Sequence, residues 1–187
     1  MKKMRIEDIE DKVRVCRKCP LYKTRNKYVI GNGDLNSSIM FIGEAPGRQE
    51  DMQGKAFVGE SGILLDKMLA SVGLDRNHIY MSNVVKCRPP ENRVPHKGEI
   101  NACMDYLREQ FLLMHPKIIV LLGSVAAKAI ISPDFLVMKS HGEVIERKGV
   151  YFIATFHPSA LLRDQSKKPL AWEDLKKLKK LIKEVNN

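Results

Sequence analysis

Ser38-Ile39-Met40-Phe41-Ile42-Gly43, continuing into Glu44-Ala45-Pro46-Gly47, is an unbroken apolar run that stops on a glycine and opens into a polar loop. Four consecutive apolar side chains leave no face for water, so the strand over residues 38–43 must be covered on both sides, as parallel strands are. The pattern recurs at residues 79–85 and at Ile118–Leu122, the latter ending on Gly123. Between these runs, apolar spacing predicts helices. One covers residues 61–72, with Leu64, Leu65, Met68 and Leu69 on one face, Ser61 as its cap and Gly73 as its end. A second covers 98–114, after a loop that Pro89, Pro90 and Pro95 keep from pairing, and a small-residue helix covers 124–131. A short charged helix over 5–15 ends at Cys16. Residues 143–146 and 151–155 read as a hairpin around Lys148-Gly149. The last helix begins near Pro169; Ala171, Leu175, Leu178, Ile182 and Val185 form its apolar stripe with Leu181 beside it, and Lys176, Lys177, Lys179, Lys180 and Lys183 form its solvated face. Alternating strands and helices of this kind make an α/β protein whose ligands bind where strands end. Attention falls on the loops after Ile42, Val84, Leu122 and Phe156.

The chain has 187 residues, 44% hydrophobic, which suits one domain over 1–187 with a real core and excludes general disorder. No run approaches the ~18 apolar residues of a membrane span. Met1-Lys2-Lys3-Met4-Arg5 is followed at once by Glu7, Asp8, Glu10 and Asp11, which leaves no apolar core for a secretory signal. The expected location is therefore the reducing cytoplasm, where structural disulfides are the lesser use of cysteine. Lys and Arg number 32 against 22 Asp and Glu, a net +10 that suits a polyanionic partner without proving one.

Cys16 and Cys19 are two residues apart and Cys87 and Cys103 fifteen apart. Four cysteines in a reduced chain, two at chelating spacing, favour a tetrathiolate centre over four unrelated buried thiols. Zinc and an iron–sulfur cluster both accept such a set. Arg17, Lys18, Lys23, Arg25, Lys86, Arg88 and Arg93 flank it, either to offset a negative cluster or to meet phosphates.

The Gly43–Gly47 segment is glycine-rich like a phosphate loop but lacks the Gly-Lys-Ser/Thr ending, which disfavours triphosphate use. Glu44 at a strand end is a base or water-orienting group, or simply solvated. Phe57, among glycines in a polar loop, covers an aromatic ligand or belongs to a small satellite cluster. Asn83, in an apolar strand, must be hydrogen-bonded, to a ligand or to a neighbouring loop. His157-Pro158-Ser159-Ala160-Leu161-Leu162-Arg163 places a histidine at a strand end next to an apolar surface wedge.

Together these segments resemble the family 4 uracil-DNA glycosylases, the iron–sulfur branch of their superfamily. The resemblance spans nearly the whole chain. It rests on the Gly43 to Gly47 loop, Phe57-Val58-Gly59, Asn83-Val84-Val85-Lys86-Cys87-Arg88-Pro89-Pro90, the cysteine spacing and His157-Pro158-Ser159. It implies a three-layer α/β/α sandwich around a mainly parallel four-stranded sheet, and removal of uracil from single- or double-stranded DNA by a monomer. It implies a [4Fe-4S] cluster on Cys16, Cys19, Cys87 and Cys103. Phe57 then stacks on the extruded uracil, Asn83 reads its Watson–Crick edge, and His157 faces O2. Glu44 lies in the water-binding loop, and Glu50 where the family blocks the thymine methyl. Ala45 and Ser159 line the substrate site; another branch has a catalytic aspartate at the Ala45 position. Leu161, Leu162 and Arg163 form the wedge that fills the vacated stack. Two rival classes are a metal-clipped nucleic-acid-binding module without catalysis, which gives no reason for Glu44, Asn83 and His157 at strand ends, and a nucleotide hydrolase, which lacks its lysine.

Overall fold

In the computed structural model, residues 4–186 are described; Met1, Lys2, Lys3 and Asn187 lie outside the described residues. A single sheet carries the strands β1 (Asn32–Gly33), β2 (Ile39–Gly43), β3 (Tyr80–Asn83), β4 (Ile118–Leu122), β5 (Val144–Arg147) and β6 (Val150–Thr155). Their order is β1-β3-β2-β4-β6-β5. The middle four run parallel, with Phe41 opposite both Met81 and Val120, and Val120 opposite Ile153. The expected four-stranded parallel sheet is present, but it is widened to six by an antiparallel strand on each edge. The hairpin was legible as alternation around Lys148-Gly149. The Asn-Gly strand was not, because two polar or side-chain-less residues carry no hydrophobic signal.

Both faces of the sheet are dry, which is why its strands read as continuous apolar runs. Met40, Ile42, Ile119, Leu121 and Ala154 face one core, and Ile39, Phe41, Ile118, Val120, Leu122 and Ile153 face the other. The first core is closed by α1 (Ile6–Arg14) and α4 (Lys97–Met114) through Ile9, Val13, Tyr106 and Leu107, and by α5 (Ser124–Ile130) through Ala126 and Ala127. The second is closed by α3 (Glu60–Ser71) through Leu65 and Leu69, and by α8 (Lys168–Asn186) through Leu175, Leu178 and Leu181. Short helices fill the connections: α2 (Arg48–Gln53), α6 (Val137–Ser140) and α7 (Pro158–Arg163). The architecture is the expected three-layer α/β/α sandwich. Among the described residues no helix is long and apolar enough to cross a membrane.

Several local expectations change. Helix α3 starts at Glu60 behind Gly59, so Ser61 lies inside the first turn and is not the cap. Gly73 does end it, at φ +69, donating to the Ala70 carbonyl at 2.9 Å. Strand β3 ends at Asn83, two residues short of the apolar run, and Val84 and Val85 turn their N–H groups to the Gly43 and Glu44 carbonyls instead. The segment after His157 is helical because Pro158 suits a first turn and the His157 ring caps it.

Leu178 is fully buried where α8 meets the sheet. Leu178→Ala should lower unfolding free energy by about 2–5 kcal/mol in urea titration, with an unchanged slope.

Candidate active site and thiol centre

Parallel strands put all four carboxyl ends on one sheet edge, and the singled-out polar residues collect there. Gly43 closes β2, Asn83 closes β3, Gly123 follows β4, and His157 lies two residues beyond β6. Gly43 is what lets the neighbours meet: a Cβ on it would come within 2.6 Å of both Asn83 Oδ1 and the Phe57 ring. Gly123, at φ +89, is equally required, since a Cβ there would approach His157 Cβ to 2.9 Å. The Phe57 and His157 rings face each other with centroids 6.1 Å apart, tilted by 33°. The structure thus brings Phe57, Asn83 and His157 together.

Phe57 has φ +53, a left-handed backbone that is costly for an aromatic residue. The surroundings enforce it. Val58 and Gly59 both donate to Glu50 Oε1, at 3.0 and 2.8 Å. On the other side, the Ala56 N–H donates to Asn32 Oδ1, and the Arg76 guanidinium donates to the Ala56 carbonyl at 2.9 Å while pairing with Asp66 at 2.8 Å. A Cβ on Gly62 would collide with the Phe57 carbonyl, so the helix start must be bare there. The ring is buried in the second main core, not in a small satellite cluster, and it borders the His157 ring.

Asn83 is 2% exposed, and its Oδ1 has no hydrogen-bond partner. A buried amide oxygen left unpaired is costly, on the order of 1–3 kcal/mol, and this one is open to a donor from outside the chain.

The tautomer of His157 follows from its cap. The Ser159 N–H donates to His157 Nδ1 at 3.1 Å, and the Ser159 hydroxyl lies 2.8 Å from the same atom. Nδ1 is the acceptor, so Nε2 carries the proton of a neutral ring. Burial, aided by the Arg163 guanidinium, pushes the imidazole down to about 4. Burial raises Glu44 above the usual carboxylate range, and Arg163 partly opposes this. Arg163 therefore faces both groups electrostatically. The wedge segment divides: Leu161 is 0% exposed and packs into the core, whereas Leu162 is 41% exposed and Arg163 lies at the surface. Ala45 is half-buried against the first core.

Asp174 is a participant the sequence reading passed over. Fully buried, it accepts from the Thr155 hydroxyl at 2.6 Å and meets His141 Nδ1 at 3.0 Å, fixing the strand two residues before His157. The available signal was an acid set three residues after Ala171 and four before Leu178, on the apolar stripe.

The four cysteines are free thiols that together line one small pocket. Arg25 donates to Cys87 Sγ and the Lys86 N–H to Cys103 Sγ, both at 3.2 Å. Burial pushes Cys19 and Cys87 up, and Cys103 up to about 11. Among the described residues no group of three or more His, Cys, Asp or Glu is arranged to hold a single metal ion. Of the flanking cations, Lys86 is fully buried and Arg93 pairs with Glu99 at 2.7 Å, so these two are not free for phosphates, while Arg88 donates to Asn92 through Nε alone.

An aromatic ring, an unpaired amide and a neutral imidazole at the carboxyl edge of a parallel sheet suit an α/β enzyme that handles a flat, hydrogen-bonding ring. The comparisons agree: residues 30–176 match the model of the Uracil DNA glycosylase superfamily. The chain is 43% identical over 184 residues to a type-4 uracil-DNA glycosylase of Archaeoglobus fulgidus, covering 94% of this chain and 92% of the relative. Type-4 enzymes of Thermotoga maritima and Sulfurisphaera tokodaii are each 40% identical, over 95% and 94% of this chain and 95% and 84% of theirs. The chain belongs to the type-4 uracil-DNA glycosylase family.

Gly→Ala inside a helix ordinarily gains up to about 1 kcal/mol. Gly62→Ala should instead lower the melting temperature, because its methyl displaces the Phe57 backbone.

Proposed function

We propose that this chain, as a single domain and a monomer, binds uracil-containing DNA in the cytoplasm, extrudes the uracil and hydrolyses its N-glycosidic bond, leaving an abasic site. The observation that carries this reading is the unpartnered Asn83 Oδ1 beside Phe57. Uracil offers an N3–H donor next to the O4 acceptor. Asn83 Oδ1 accepts from N3–H while its NH₂ donates to O4. Cytosine presents an amino group and a bare N3, leaving two buried groups mismatched, so it is strongly rejected. The base is stacked in duplex DNA and must rotate out at a cost of a few kcal/mol. Phe57 covers its face, and Leu162 with Arg163 fills the gap.

Cleavage leaves a cationic sugar and an anionic uracil. His157, neutral with its proton on Nε2, donates to O2 and stabilises that anion, a preorganised donor at a developing charge. Ser159 contributes by fixing the tautomer. Glu44, ionised, orients the attacking water and favours the cationic sugar, while its raised affinity for protons equips it to take one. Ala45 provides no carboxylate, so this task stays with Glu44. The resemblance implies that Glu50 blocks a C5 methyl; its committed Oε1 supports a role as anchor of the Phe57 loop, which bounds the pocket.

Cys16, Cys19, Cys87 and Cys103 would hold a [4Fe-4S] cluster. Four thiols on one pocket, two of them receiving N–H donors, fit such a group. When bound it would supply a four-point staple joining the N-terminal segment, the loop after β3 and α4. Hydrolysis moves no net electrons, which supports a structural role.

Oligonucleotides bearing one uracil, single- or double-stranded, should break at that position after incubation and alkali; intact strands in both overturn the proposal. Asn83→Asp should lose uracil activity at least about 100-fold and gain tolerance for cytosine.

The acid side of the pH profile is set by Glu44. Its folded value lies above 4.5, whereas His157 stays neutral down to about 4, so falling pH protonates Glu44 first. kcat/KM should fall below a limb above pH 4.5 and show no second limb between pH 6 and 8. Stability behaves separately. The unfolded His157 binds protons near pH 6.5 and the folded one only near 4, so its share of stability is complete above 6.5 and declines toward 4.

A further inference from the structure

Beneath the strand edge lies a buried cation that the chemistry above leaves unused. Lys86 is 0% exposed. Its Nζ donates to the Ser82 hydroxyl at 2.6 Å, the Gln110 side-chain oxygen at 2.6 Å and the Asn83 main-chain carbonyl at 2.8 Å, so all three protons are committed. Gln110, also fully buried, passes the link on, donating to the Ile30 carbonyl at 2.8 Å and the Tyr80 hydroxyl at 2.9 Å. The main chain of Lys86 faces the other way: its N–H donates to Cys103 Sγ at 3.2 Å, and the next residue is Cys87. One residue thus grips the reading strand with its side chain and the thiol centre with its backbone.

The position matters because β3 ends at Asn83 and the chain turns away. A carbonyl held there fixes the peptide plane from which the Asn83 side chain springs. Burying an ammonium with no carboxylate on it is an expensive way to staple a strand, and a neutral side chain would serve for packing alone. Lysine alone offers three donors from one atom.

We propose that Lys86 is a positioning residue: by holding the Asn83 carbonyl it sets the plane in which the Asn83 amide meets the base, and it couples that plane to the four-cysteine centre. This rests on the uracil-reading role proposed for Asn83.

The test compares full-length, cluster-containing wild-type protein with Lys86→Met and Ser82→Ala. Five quantities are read: inhibition of excision by free uracil, single-turnover rate, affinity for undamaged duplex, melting temperature and visible thiolate–iron absorbance. In Lys86→Met, uracil inhibition and single-turnover rate should both weaken on the order of 100-fold, as expected of a misaimed group, with duplex affinity unchanged. Ser82→Ala, which removes one acceptor of Nζ, should move both the same way by about fivefold. A purely structural lysine would shift melting and absorbance while leaving the uracil inhibition constant at its wild-type value, and that result overturns the proposal. If Lys86→Met does not fold, Ser82→Ala decides: a weakened constant supports the assignment and an unchanged one overturns it. A wild-type protein that excises no uracil overturns the reading of the site, and this assignment with it.

Discussion

The amide oxygen of Asn83 is buried without a partner, and much of the surrounding structure keeps it so. An unpaired acceptor in a dry interior would normally rotate, recruit a neighbour or admit water. Here Gly43 opens just enough space for the oxygen and the Phe57 ring to lie side by side, and the ring in turn borders His157. The strain of a left-handed phenylalanine is carried by bonds on both flanks, from Glu50 on one and from Asn32 and Arg76 on the other. Asp174 pins β6 through Thr155 just ahead of the histidine. Phe57, Asn83 and His157 are thus held in place by groups outside the trio, so their relative positions are set by the folded chain itself.

Much of the fold was legible because burial on both faces leaves a strong trace. The run over residues 38–43 met its strand within one residue, the run at Ile118–Leu122 matched to the residue, and the α8 stripe placed that helix against the sheet. What escaped depends on tertiary partners. Val84 and Val85 look like strand residues but donate to the Gly43 and Glu44 carbonyls past the end of β3. The Pro158–Arg163 helix is too short to show a period, and its start depends on an imidazole acting as a cap.

The site divides along the same line. Phe57, Asn83 and His157 stood out because each violates its local environment: a ring among glycines, an amide among valines, a histidine at a strand exit. The supports did not. Glu50 looks like any surface glutamate until its carboxylate is found beneath two backbone N–H groups. Leu161 and Leu162 are identical in sequence terms, and only the helix phase sends one inward and leaves the other outside. Lys86 interrupts an apolar stretch, a signal easily taken for one more member of a basic surface.

The thiol centre also constrains how the molecule is made. Cys19 leaves the ribosome about 84 residues ahead of Cys103, several seconds of synthesis at ~5–20 residues per second. Until Cys87 follows, the nascent chain displays Cys16 and Cys19 alone with no enclosing walls, since α4 does not yet exist. The four thiols therefore come together only in the later half of translation, once α4 exists to carry Cys103.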